Sequence, residues 1–152
     1  MKPFKTSRAS WWDYSNEGAY FITISTKEHK HYFGYIDMGK PFLSEVGRIA
    51  YHFWLNIPRI SKGVELGEFI VMPHHLHGIL FLNKSFDPNE QTTKSISTII
   101  GSYKAAVSKE CKLKELEFAW DRRFHDRIIR NNDELQAIEN YIRENPKRWI
   151  SN

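Results

Sequence analysis

The stretch Phe69-Ile-Val-Met-Pro-His-His-Leu-His-Gly-Ile-Leu-Phe-Leu82 decides the fold reading, because an apolar, β-forming run is broken there by Pro73 and then by three histidines. Side chains alternate faces along a strand, so His75 and His77 project to one side and Leu76 to the other. In a regular strand His74 faces away from that pair. Pro73 cannot donate to a ladder and biases Met72 to extended geometry, which suits a strand's beginning, where solvent and substrate reach the imidazoles. An i, i+2 imidazole pair on a strand fixes two coordination positions for a metal, and a third ligand must then come from elsewhere. Spacing alone also allows the plainer reading, in which these are histidines on a polar edge strand.

Around this stretch the chain reads as alternating strands and helices. Ala19–Thr26 is β-branched and aromatic and makes a first strand; Lys27 to Lys30 is a charged turn; Tyr32–Ile36 is a shorter strand expected to pair back on the first, closed by Gly39-Lys-Pro41. Leu43, Val46, Ile49, Ala50, Phe53 and Trp54 recur at helical spacing, giving a helix from Ser44 to Asn56 that stops before Pro58. Val64–Val71 alternates and forms a hairpin with the histidine strand. Asn83 to Thr93 is a polar loop, expected to be mobile. Ile96, Ile99, Ile100, Tyr103, Ala106 and Val107 stripe a second helix over Ser95–Cys111, with Gly101 as its weak point. Phe118–Arg130 reads as a bent strand carrying Arg122, Arg123, Arg127 and Arg130. Asn131 with Glu134 resembles a capping box, Leu135, Ile138 and Ile142 give the third helix a buried stripe, and Pro146 ends it. The order β-β-α-β-β-α-β-α predicts a single α+β domain over 1–152, an antiparallel sheet with helices packed on one face and the other free for a ligand. Residues 1–18 are a polar segment, flexible or flap-like, with Trp11 and Trp12 available for packing or stacking.

Composition narrows the function. The chain has 152 residues and one cysteine, Cys111, which excludes an intramolecular disulfide and a cysteine-rich zinc ribbon. No segment approaches the ~20 apolar residues of a membrane span, so the protein reads as cytoplasmic. A net charge of +4 with 14% aromatic residues suits an anionic partner such as nucleic acid.

The third helix carries Tyr141 and Asn145 at i, i+4, one turn apart on one face. Asn145 can offer its carbonyl oxygen to a cation, and Tyr141 can attack an electrophile held at that cation. Alternatively, Tyr141 packs on the sheet and Asn145 satisfies the helix end before Pro146. Tyr103 is the rival nucleophile, but its i+4 neighbour is Val107 and it belongs to an apolar stripe.

Four motifs in order resemble the single-tyrosine HUH transposases, in particular the REP-associated tyrosine transposases. They are Val71-Met-Pro-His-His-Leu-His-Gly78, Ile99-Ile-Gly-Ser-Tyr-Lys104, Trp120-Asp-Arg-Arg-Phe-His-Asp-Arg-Ile-Ile-Arg130 and Tyr141-Ile-Arg-Glu-Asn-Pro146. The resemblance implies a ferredoxin-like HUH endonuclease fold with His75, His77 and Asn145 as ligands of Mg²⁺ or Mn²⁺ and Tyr141 as nucleophile. It implies cleavage and rejoining of single-stranded or hairpin DNA through a 5′-phosphotyrosine. Relatives of this kind include monomers and homodimers. Arg122, Arg123, Arg127, Arg130, Lys147 and Arg148 are expected to meet phosphates, and Trp149, Trp11 or Trp12 to stack on unpaired bases. Two positions depart from the family: His74 stands where Asn is usual, and Asp121 where Gln often follows the tryptophan. Rival readings are a DNA-binding protein that does not cut and a metal-dependent hydrolase in which Tyr141 only orients water.

Overall fold

A computed structural model describes residues 18–83 and 95–149. Trp11, Trp12 and the polar loop beyond Asn83 lie outside the described residues. The elements are β1 (Gly18–Thr26), β2 (Gly34–Asp37), β3 (Lys40–Leu43), α1 (Glu45–Leu55), the single turn α2 (Ile57–Ile60), β4 (Val64–Met72), β5 (His75–Leu82), α3 (Ile96–Leu113), β6 (Trp120–Ile129) and α4 (Asn132–Glu144). The α+β reading holds, with an open four-stranded sheet in the order β4-β5-β1-β6. All three of its pairings are antiparallel.

β1 and β5 lie in the middle of the sheet and are buried on both sides, for two different partners. Ile22, Ile24, Leu76 and Leu80 face α1 and α3, whose Ile49, Ala50, Trp54, Ile99, Ile100, Tyr103 and Val107 complete the larger core. Gly78 is what lets α1 approach: a Cβ there would stand 2.5 Å from Cζ2 of Trp54. On the opposite face Ala19, Ile79, Phe81 and Ile129 receive Leu135, Ile138 and Ile142 of α4. Each of those three helix side chains is almost fully buried, a contribution of about 1.5–3 kcal/mol apiece. The expected packing of helices on one face therefore describes α1 to α3, while α4 lies across the face expected to be free. Helix α4 packs on Ala19, Ile79, Phe81 and Ile129, toward the start of β1 and the end of β5, and the opposite ends of those strands carry Ser25 and His75.

The second strand departs from expectation. Tyr32–Ile36 was expected to pair on β1; instead Gly34–Asp37 pairs with Lys40–Leu43 in a separate two-stranded sheet. Met38 and Gly39, with φ of 53° and 75°, form the two-residue turn. Two consecutive positive φ values match the twist of a hairpin, so the chain doubles back immediately and does not rejoin β1. Ser44 caps α1 by accepting from Gly47 N–H at 3.0 Å, and Pro58 is tolerated because it falls in the first turn of α2. Among the described residues no helix is long and apolar enough to cross a membrane.

Candidate active site

The register of the sheet assembles the site. His75 and His77 of β5 stand opposite Ser25 and Thr23 of β1, on the face that carries α4, and their rings are 4.4 Å apart. Thr23 Oγ1 lies 2.9 Å from His77 Nδ1, so Nε2 is the nitrogen of that ring not engaged by Thr23. His75 Nδ1 lies 3.0 Å from His74 Nδ1. Among the described residues His75 Nε2 is buried without a well-formed hydrogen bond, although the Asn145 amide lies close enough to act on the ring; a buried nitrogen left unpaired costs about 1–3 kcal/mol.

His74 does not face away from the pair. It belongs to the two-residue turn with Pro73 between Met72 and His75, which are themselves paired, so strand alternation does not govern it. Its ring sits 4.8 Å from that of His75.

Burial chiefly, then the neighbouring His77 and His74, push the His75 imidazole down to about 3, against a weaker opposing influence of Asn145. Burial, then His74, push His77 down to about 4. His74 is lowered too, by burial first and His29 second. Both strand histidines are therefore neutral at physiological pH, the state that metal ligation requires.

Helix α4 brings the remaining groups. Tyr141 is 44% exposed, its ring 5.5 Å from that of His77 and edge-on to Phe21 at 6.2 Å. Asn145 approaches His75 closely enough to favour its protonation, while its amide nitrogen donates to the Tyr141 carbonyl at 3.2 Å. The Arg148 guanidinium lies 5.1 Å above the Tyr141 ring and also donates to the Tyr141 carbonyl. Tyr103 is on the other side of the sheet, 3% exposed, and its hydroxyl donates to the Ala50 carbonyl at 2.7 Å. Burial first, then Cys111, raise its pKa, so Tyr103 is a core residue.

His75, His77, Tyr141, Asn145 and Arg148 thus come together, with Lys147 next in the chain. Arg127 faces Phe21 across β1 and β6 and borders the same surface. Arg122 and Arg123 are exposed within the register shift that separates the Trp120 and Phe124 pairings. Arg130 stands just before the far end of α4, where its backbone N–H donates to Glu134, and the helix from Asn132 to Tyr141 alone spans about 14 Å. His125 faces Thr23, and the Asp121 carbonyl accepts from Lys104 Nζ.

Sequence reasoning missed Thr23 and the loop histidines His29 and His31, which meet His74 at ring distances of 4.9 and 5.4 Å. Thr23 could have been found: it alternates with Ile22 and Ile24 and shares a polar strand face with Ser25, and its partner follows once the β1–β5 register is fixed.

Among the described residues no three His, Cys, Asp or Glu side chains form a metal-holding group, so a cation at this place would rest on two imidazoles, the Asn145 amide and solvent or substrate oxygens. The His75 Nε2 without a well-formed hydrogen bond, the neutral rings and the adjacent amide fit such an ion.

The fold is that of transposases. It superposes on a REP-associated tyrosine transposase bound to a REP hairpin with a TM-score of 0.64 at 20% identity, covering 88% of this chain and 70% of that one. A candidate transposase from Deinococcus radiodurans superposes with a TM-score of 0.51 at 15% identity, covering 84% and 91%. No protein-family model matches the chain. A Haemophilus influenzae protein described only as uncharacterised is 32% identical over 160 residues, 95% of this chain and 89% of that protein. The chain belongs to one family with that protein.

Proposed function

We propose that the protein is a transposase-like enzyme that cuts and rejoins single-stranded or hairpin DNA through a covalent phosphotyrosine on Tyr141. The observation that carries this reading is the convergence of an exposed tyrosine, two neutral imidazoles, one with a nitrogen that lacks a well-formed hydrogen bond, and an amide side chain on one sheet face. The structural neighbour bound to a REP hairpin supports DNA hairpins as the substrate class.

A divalent cation, Mg²⁺ or Mn²⁺, held by His75, His77 and Asn145 would supply Lewis-acid stabilisation of charge on the phosphate oxygens. The chain's own residues account for the rest. Thr23 and His74 hold the two imidazoles by their Nδ1 atoms, so that both Nε2 atoms turn toward the substrate. Arg148 holds Tyr141 by its carbonyl and ring face. The Tyr141 oxygen forms a bond to phosphorus, the bond from phosphorus to O3′ breaks, the phenol gives up its proton and O3′ takes one up. One ester replaces another, so a 3′-hydroxyl can reverse the step without an external energy source. The test is a denaturing gel of protein incubated with labelled hairpin DNA and Mn²⁺. A band carrying both label and protein supports the reading; free 5′-phosphate product without that band makes the protein a hydrolase, and binding without cutting makes it a DNA-binding protein.

A further inference from the structure

Beside the imidazole pair lies a second cluster of rings, of which only His74 hydrogen-bonds with a group already given a role. His74 is surrounded by His29 at 4.9 Å, His31 at 5.4 Å and Trp149 at 5.0 Å between ring centroids, and Trp149 also meets His31 at 5.6 Å. The loop that carries His29 and His31 is fastened to the Pro73-His74 turn. Thr26 N–H donates to the His74 carbonyl at 2.9 Å and Phe33 N–H to the Pro73 carbonyl at 3.1 Å. The fully buried Thr26 hydroxyl lies between the Lys30 and His74 carbonyls, 2.7 and 3.1 Å away. Glu28 and His29 both adopt φ of 55°, a left-handed conformation that costs non-glycine residues about 1–3 kcal/mol each and persists only where the surroundings enforce it. The rings are therefore held in place by a fastened, strained loop.

Their position relative to Tyr141 has a chemical meaning. Tyr141 stands against His77, whereas Trp149 stands against His75 and His74, so the nucleophile and the ring cluster flank the imidazole pair from opposite ends. In an in-line displacement the leaving oxygen departs opposite the attacking one. We infer that the cluster of His29, His31, His74 and Trp149 binds the nucleotide immediately 5′ of the scissile phosphate, the one that leaves with the 3′-hydroxyl. The tryptophan stacks on its base, and the exposed imidazoles of His29 and His31 hydrogen-bond to its phosphate or base edge. This rests on the phosphotyrosine reading and adds to it a binding site for the departing strand and a reason for rejoining: a retained 3′ end is available for the reverse reaction.

The experiment is photocrosslinking with 5-iodouridine placed singly on each side of the cleavage position mapped with the wild-type protein, using Tyr141→Phe so that the strand stays intact. Crosslinks from the 5′ nucleotide to Trp149, His31 or His29 are expected, with none to these residues from the 3′ side. A second readout follows rejoining: Trp149→Leu should release the 3′-hydroxyl strand about tenfold faster and lower the ratio of rejoined to cleaved product. Crosslinks to this cluster from the 3′ nucleotide, from neither, or an unchanged ratio in Trp149→Leu, with the covalent adduct still formed by wild type, overturn this inference alone. Absence of any adduct in wild type overturns the phosphotyrosine reading, and the inference with it.

Discussion

Nδ1 of His75 and Nδ1 of His74 face each other across 3.0 Å. One of the two must carry the proton, and if His75 is to present the lone pair of Nε2 to a cation, its Nδ1 is the donor and His74 the acceptor. The turn residue would thereby fix the tautomer of His75.

His74→Asn should keep this arrangement, since an amide oxygen also accepts, whereas His74→Leu removes the acceptor. Mn²⁺ affinity, measured by the decline of the free-ion electron paramagnetic resonance signal, should fall about 10- to 100-fold in His74→Leu and little in His74→Asn. Equal affinities in all three proteins would show that His74 does not position His75.

Metal binding should also be visible as stability. Mn²⁺ that binds only the folded chain raises Tm by mass action, so saturating Mn²⁺ should raise the wild-type Tm and leave those of His75→Ala and His77→Ala nearly unchanged. A similar rise in both variants would move the ion away from this pair.

The same two imidazoles make the metal-free fold sensitive to acid. Their folded values, about 3 and about 4, lie below the ordinary 6.5. The unfolded chain therefore takes up protons that the fold refuses as pH drops below 6.5. The stability is fully present above that value and is lost as pH falls toward 4. Between pH 7 and pH 5 the loss is about 2 kcal/mol for each histidine. Urea melts at the two pH values should show this difference shrinking in His75→Ala/His77→Ala. An identical pH dependence in wild type and variant would contradict the buried, neutral state.

Electrostatic binding separates the basic residues by position. The affinity for single-stranded DNA should fall with salt at a log-log slope of about −0.7 per neutralised phosphate. Arg127→Ala and Arg148→Ala, which border the site, should each make the slope shallower by about that amount, and Arg130→Ala, at the far end of α4, by less. Equal effects from all three would mean that DNA covers α4 along its length.

Local patterns carried much of this arrangement. His75 and His77 share a face because alternation is a property of the strand itself, and Tyr141 and Asn145 share one because a helix returns every 3.6 residues. What escaped was set by pairing or by turns. Thr23 reaches His77 only through the β1–β5 register. His74 turns toward His75 because it stands in a hairpin turn, where period-2 reasoning ends. His29 is aimed by a left-handed backbone that its sequence does not advertise. The face covered by α4 was expected to be free because Thr23, Ser25, His75 and His77 make one end of it polar, while Ala19, Ile79 and Phe81, which make the other end apolar, do not name the helix that covers them.

The central claim is that Tyr141 carries the DNA. Wild-type protein incubated with a single-stranded or hairpin substrate and Mn²⁺, then digested and analysed by mass spectrometry, should yield one phosphorylated or nucleotide-bearing peptide with the modification on Tyr141. Tyr141→Phe loses only a hydroxyl from a side chain that is 44% exposed, so it should fold and bind DNA while giving no adduct. Tyr103→Phe should still form one. An adduct mapped to another residue, or formed in full yield by Tyr141→Phe, would contradict the account.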